Sequence, residues 1–131
     1  MLSTELKDFF NQVPVMALGT ADKYGIPNVS AIASKKIVDD NTIWTIDTFH
    51  HKTLENIKEN NQVTIAMWKD SEGYQIKGIA KHHTEGAIFE EGKAWILKTK
   101  PQKIVKGVIE IKISKVFYLT PNYEQAGKEI Y

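Results

Sequence analysis

Thr45-Ile46-Asp47-Thr48-Phe49-His50-His51-Lys52-Thr53-Leu54-Glu55-Asn56-Ile57 passes from one secondary structure into another within a dozen residues. Its first part closes a strand-like run that starts at Thr42, and its last part is a short amphipathic segment able to begin a helix. A strand that feeds a helix start beside a cation and a hydroxyl suits a phosphate. The N–H groups of the first turn have no partner inside the helix, and the helix dipole favours negative charge there. Lys52 adds a point charge, and Thr53 is expected to donate through its hydroxyl while also serving as N-cap.

Outward from this stretch the chain reads mostly as strands. On the N-terminal side, Ser3 or Thr4 is placed to cap a helix carrying Leu6, Phe9 and Phe10, stopped at Val13-Pro14. Val15 to Thr20 reads as a buried strand, Asp22 to Gly25 as a turn, and Pro27 to Ala33 as a strand of small residues. Asp39-Asp40-Asn41 joins Lys36–Val38 to Thr42–Ile46 as a hairpin. On the C-terminal side come a helix over 53–60, strands over 62–68 and 74–84, and a helix over 88–97. Gly78 marks a bulge or a close backbone approach. Ile109, Ile111 and Ile113 alternate with Glu110, Lys112 and Ser114 in the cleanest strand pattern. Val116 to Leu119 continues it with the alternation disturbed, and 121–131 reads as a polar tail. About six strands with few helices predict a mainly β protein, a closed antiparallel barrel, in one domain spanning 1–131.

Composition removes several function classes. A chain of 131 residues is long enough to bury a real core. The net charge of +1 gives no general attraction to nucleic acid or an anionic membrane. Cysteine is absent, which excludes disulfides, thiolate nucleophiles and Cys-type metal sites. All the basic residues are lysine, so no guanidinium can grip a phosphate in bidentate fashion. The first twelve residues carry acids and no long apolar run, and a cytoplasmic location is expected. The Gly-x-Gly-x-x-Gly dinucleotide fingerprint is absent. His50-His51 and His82-His83 invite a metal reading, but neighbours on a strand point to opposite faces, and no ligand spacing is recognisable; no metal site is expected.

The order of the motifs carries more than any one of them. Gly25-Ile26-Pro27-Asn28-Val29-Ser30, the Asp39–Asn41 turn, Ile43-Trp44-Thr45-Ile46, His51-Lys52-Thr53 with Asn56-Ile57, and Val63-Thr64-Ile65 follow one another. Ile76-Lys77-Gly78-Ile79-Ala80 and the closing strand to Pro121 complete the series. Over residues 13 to 121 this resembles the pyridoxamine 5'-phosphate oxidase-like family of FMN-binding split barrels. The resemblance implies a six-stranded antiparallel split β-barrel and a homodimer with FMN at or near the interface. It implies that Lys52, Thr53 and His51 hold the phosphate. Ser30, Ala31, Ile32 and Ala33 would line the isoalloxazine, and Thr45, Ile46, Asp47 and Thr48 would meet the ring edge and ribityl chain. Small side chains on the second strand agree with this, because a flavin needs a flat slot and nearby backbone donors.

The true oxidases of that family are longer and use arginines, so pyridoxamine phosphate oxidation is not expected here. The expected function is an FMN flavoprotein acting in reduction or electron transfer, with no catalytic side chain identified. The alternative is a protein that binds, stores or senses a flavin, a deazaflavin or haem without turnover.

Overall fold

The computed structural model describes residues 1–131. Helix α1 (Thr4–Gln12) is followed by β1 (Met16–Ala21), β2 (Pro27–Ile32), β3 (Lys35–Asp39) and β4 (Thr42–Asp47). Then come α2 (Lys52–Glu59), β5 (Gln62–Lys69), β6 (Glu72–His83), α3 (Ala87–Thr99) and β7 (Gly107–Tyr118). The seven strands form one antiparallel sheet in the order β2-β1-β5-β6-β7-β4-β3. Its two edges, β2 and β3, are neighbours in the chain, joined only by Ala33 and Ser34. A sheet whose first and last strands are two residues apart must curl round on itself. No ladder joins β2 to β3, so the barrel is split along that seam.

The expected strand count of six becomes seven. The extra strand is β3, a five-residue hairpin arm that is half-buried at best and bulged between Ile37 and Asp39. Such a short edge element carries little hydrophobic signal. Mainly β architecture and the split-barrel form hold.

The barrel interior is one hydrophobic cluster. Leu6, Phe9 and Phe10 of α1 meet Leu18, Ile43, Ile65, Met67, Ile76, Ile111 and Val116 there. α1 forms because Ser3 accepts a hydrogen bond from the Leu6 N–H at 3.2 Å, as an N-cap does. A smaller cluster of Trp44, Ile46, Ile96 and Val108 lies where α3 packs on the outside of β4 and β7.

Gly78 explains the disturbed pattern in the closing strand. The β6–β7 register slips between Lys77 and Gly78, leaving Ser114 as the extra residue. Ile113 and Val116 therefore both point inward although three positions apart. A Cβ on Gly78 would lie 2.5 Å from the Lys112 carbonyl oxygen, so no side chain fits. The polar tail does not trail away. Ile130 donates to the Val116 carbonyl at 2.7 Å and packs on the core, and Phe117 bridges to Glu129. No helix is long and apolar enough to cross a membrane.

Candidate functional site

Lys52 is the first residue of α2, and its ammonium is half exposed, 3.6 Å from the Glu55 carboxylate one turn on. His51 occupies the N-cap position and supplies no side-chain hydrogen bond, so the first-turn N–H groups have no side-chain cap. Thr53 corrects the expectation of an N-cap: it lies one position inside the helix and is only 2% exposed.

The buried hydroxyl of Thr53 stitches α2 to the sheet. It donates to Ser30 Oγ at 3.0 Å and accepts from Asn28 Nδ2 at 3.2 Å. One turn further, Asn56 Nδ2 donates to Thr20 Oγ1 at 3.0 Å, while Asn56 Oδ1 is buried without a partner. Thr20, Asn28, Ser30, Thr53 and Asn56 thus make a polar seam between α2 and strands β1 and β2. Ser30 Oγ, bonded to Thr53 from a half-buried position, keeps capacity for a further hydrogen bond. At this corner Ser30 Oγ lies against the first turn of α2 through Thr53, the Lys52 ammonium stands at that turn beside Glu55, and the first-turn N–H groups carry no side-chain bond.

A cleft of about 180 Å³ opens beside it, between the end of β2 and the loop after β4. Ala31, Ile32, Ala33 and Ser34 form one wall and Ile46, Thr48, Phe49 and His50 the other. Lys100 and Lys103 stand at the rim. Burial of the His50 ring holds its pKa below the ordinary histidine value, against the pull of Asp47. Lys100 donates to Ser34 Oγ at 3.2 Å, and neither Lys100 nor Lys103 has a carboxylate partner.

The expected residues divide into three groups. Ala31, Ile32, Ala33, Ile46 and Thr48 share the cleft, with Thr48 also donating to the Ile104 carbonyl at 2.6 Å. Ser30, Lys52 and Thr53 share the corner, with exposed His51 next to it. Thr45 and Asp47 reach neither. The Thr45 hydroxyl is buried and donates to the Ser34 carbonyl at 3.1 Å. Asp47 is 0% exposed and faces His82. On a strand covered on both sides, every residue of β4 is buried, and of its residues only Ile46 borders the cleft.

Lys100 and Lys103 were not among the expected site residues. Their signal was four lysines at 98, 100, 103 and 106 with no acid among them, a local excess of charge that only the fold brings to the cleft. The histidine pairs meet carboxylates instead of a shared ion: His82 faces Asp47 and His83 faces Glu110, each at 3.1 Å.

A family model described as pyridoxamine 5'-phosphate oxidase matches residues 2–120. The chain belongs to the pyridoxamine 5'-phosphate oxidase family. Among its relatives, an uncharacterised protein of Methanocaldococcus jannaschii is 36% identical over 120 residues, covering 88% of this chain and 79% of that one. The crystal structure of HupZ from Group A Streptococcus superposes with a TM-score of 0.84 at 29% identity, covering 98% of this chain and 99% of that one. An FMN-binding protein from Syntrophomonas wolfei shares the fold at 20% identity, with a TM-score of 0.74 over 88% of this chain and 84% of the other.

Proposed function

We propose that this chain is an FMN-binding flavoprotein that acts in reduction or electron transfer and works as a homodimer. The observation that carries the reading is the corner itself: the Ser30 hydroxyl, the Lys52 ammonium and the uncapped first turn of α2 supply a donor set suited to a phosphomonoester. The small side chains of Ala31 and Ala33 next to it leave room for a planar ring. FMN supplies reversible one- and two-electron chemistry when bound; the protein's part is to hold its phosphate and shape its slot.

Size and surface support a second copy. The cleft is smaller than the roughly 300–1,000 Å³ that encloses a ligand of flavin size. Beside it runs an uncovered apolar strip in which Val29 is 72% and Trp68 57% exposed, with Val15 and Ala17 between them. Ser30 and Ala31 border both the strip and the ligand corner. A copy seated on the strip would also wall the cleft. The all-lysine composition weighs against oxidation of pyridoxamine phosphate, whose phosphate would need a second anion site as strong as the first.

The test is the chromophore. Purified protein should carry, or take up on titration, one FMN per chain, recognised by mass and absorbance. Bleaching by NADH or NADPH with recovery in air supports a redox role. A yellow protein inert to both supports binding or storage instead. Uptake of haem or a deazaflavin in preference to FMN, or no uptake of any of them, rejects the assignment.

A further inference from the structure

Asp47 ends β4 with its carboxylate wholly enclosed, and its polar contacts tie the loop that delivers the corner to β6 and to Lys106. Oδ1 accepts the His50 N–H at 3.2 Å, and Oδ2 lies 3.1 Å from His82 Nε2 on β6. The Lys106 ammonium stands 4.0 Å from Oδ1 and donates to the His50 carbonyl at 3.3 Å. The Lys106 N–H donates to the Asp47 carbonyl at 2.9 Å. The His82 ring fits because residue 107 is glycine: a Cβ there would come within 2.3 Å of Nε2.

A buried carboxylate is costly unless it is hydrogen-bonded and matched by positive charge, and here both conditions are met. Helix α2, by contrast, has no side-chain cap to set its entry, and His51 at its start has φ −130° and ψ −73°, outside the helical and extended regions. The Thr53 and Asn56 bonds hold the body of α2 on the sheet, and the entry of the chain into its first turn is left to whatever holds residues 48–51. Asp47 does this through the His50 N–H, three residues on.

We propose that Asp47 is the positioning residue of the anion corner: its enclosed carboxylate, secured by His82 and Lys106, fixes the 48–51 loop and thereby aims Lys52 and the start of α2. The proposal rests on the phosphate reading of that corner for its consequence, and on the contacts of Asp47 alone for its geometry. Asp47 touches no ligand. It acts through His50, so its effect reaches the phosphate end of a ligand through the start of α2 and, because Thr48, Phe49 and His50 form one wall of the cleft, the ring end to a lesser degree.

The decisive comparison is among wild type, Asp47→Ala and Asp47→Asn. Asparagine keeps an oxygen that can accept from the His50 N–H; alanine keeps none. In unliganded protein, the backbone amide resonances of Lys52 and Thr53 should move in the alanine variant and return close to their wild-type positions in the asparagine variant. Unmoved Lys52 and Thr53 resonances in Asp47→Ala overturn the proposal. With ligand, FMN affinity should fall at least about tenfold in Asp47→Ala. Riboflavin, which lacks the phosphate, should lose clearly less affinity than FMN does. Recovery of FMN affinity in Asp47→Asn supports positioning; an equal loss for FMN and riboflavin marks a general structural role and overturns it. Should Asp47→Ala fail to fold, Asp47→Leu with His82→Phe removes the acceptor and its ring partner together, while the partly exposed Lys106 keeps its bond to the His50 carbonyl, and the same readouts apply. If wild type takes up no FMN, the proposed function fails by itself, and the amide resonances still judge Asp47.

Discussion

At the scale of single residues, Lys52 and Thr53 are adjacent but do different things. Lys52 is solvent-facing, and its ion pair with Glu55 is of the exposed kind that adds little stability. Lys52→Ala should leave the denaturation midpoint unchanged while weakening FMN binding, read by fluorescence titration. Thr53 is enclosed with two hydrogen bonds, so Thr53→Ala should cost about 1–3 kcal/mol of stability through the groups it leaves unpaired, read by urea unfolding. The double variant should lose FMN binding; unchanged affinity there would remove the phosphate assignment. The sequence pointed to both residues but could not separate them, since a threonine beside a helix start reads as a cap until the chain's path shows which N–H groups it faces.

At the scale of elements, the β6–β7 ladder shows how one residue sets a register. Gly78 lies against the Lys112 carbonyl with no space for a Cβ, and the bulge opposite it restores the inward aim of Val116. Gly78→Ala should destabilise by about 2–4 kcal/mol, measured as a lowered denaturant midpoint, because the atom in the way is backbone and cannot swing aside. The N-cap of α1 is a milder case. Ser3→Ala should cost about 1 kcal/mol and leave the barrel intact, as judged by far-ultraviolet circular dichroism and thermal unfolding. Both features were visible in the sequence, a glycine inside a strand pattern and a serine before a helical one, because each depends on a local requirement of the backbone. The arm that becomes β3 was legible only through the Asp39–Asn41 turn, as residues 36–38 of a hairpin and not as a strand in the count of six, and the docking of the tail was not legible. β3 is held by pairing to β4, and the tail by hydrogen bonds to β7, and neither carries a periodic signal of its own.

At the scale of the whole molecule, charge and surface give two further expectations. Backbone N–H donors, from Ile26 to Asp22 and from Asn41 to Asp39, hold both carboxyls below their ordinary range, and the Lys7 ammonium does the same for Asp40. A carboxylate with a lowered folded pKa contributes stability that is present above its unfolded value of about 4 and is lost as pH falls through the folded one. His50 has the same sign by a different route. Its ring is disfavoured as a cation by burial, so folding loses free energy as pH drops below about 6.5 and the unfolded chain binds the proton more readily. Stability should therefore decline on acidification in two stages, seen as falling urea midpoints from neutral through mildly acidic to strongly acidic pH. The apolar strip gives the second expectation. Val29→Lys should shift the molecule toward monomer in sedimentation or light scattering, and should weaken FMN binding in step with the loss of the second wall.

The sequence by itself determined the class of fold, the order of its strands and helices, and the lysine-bearing turn after β4. Alternation, turn residues and composition are short-range properties, and a linear reading has access to them. Tertiary structure alone decided which of the marked residues face outward. Curling the sheet into a barrel buries β4 on both sides, which withdraws Thr45 and Asp47 and leaves Ala31, Ala33 and Thr48 at the cleft. It also brought Lys100 and Lys103 from the far side of α3 to that cleft, and set His82 against Asp47 across 35 positions of chain. Such contacts are fixed by the closure of the whole sheet, since a strand's pattern says that a side chain is buried or free but not which distant group it will meet.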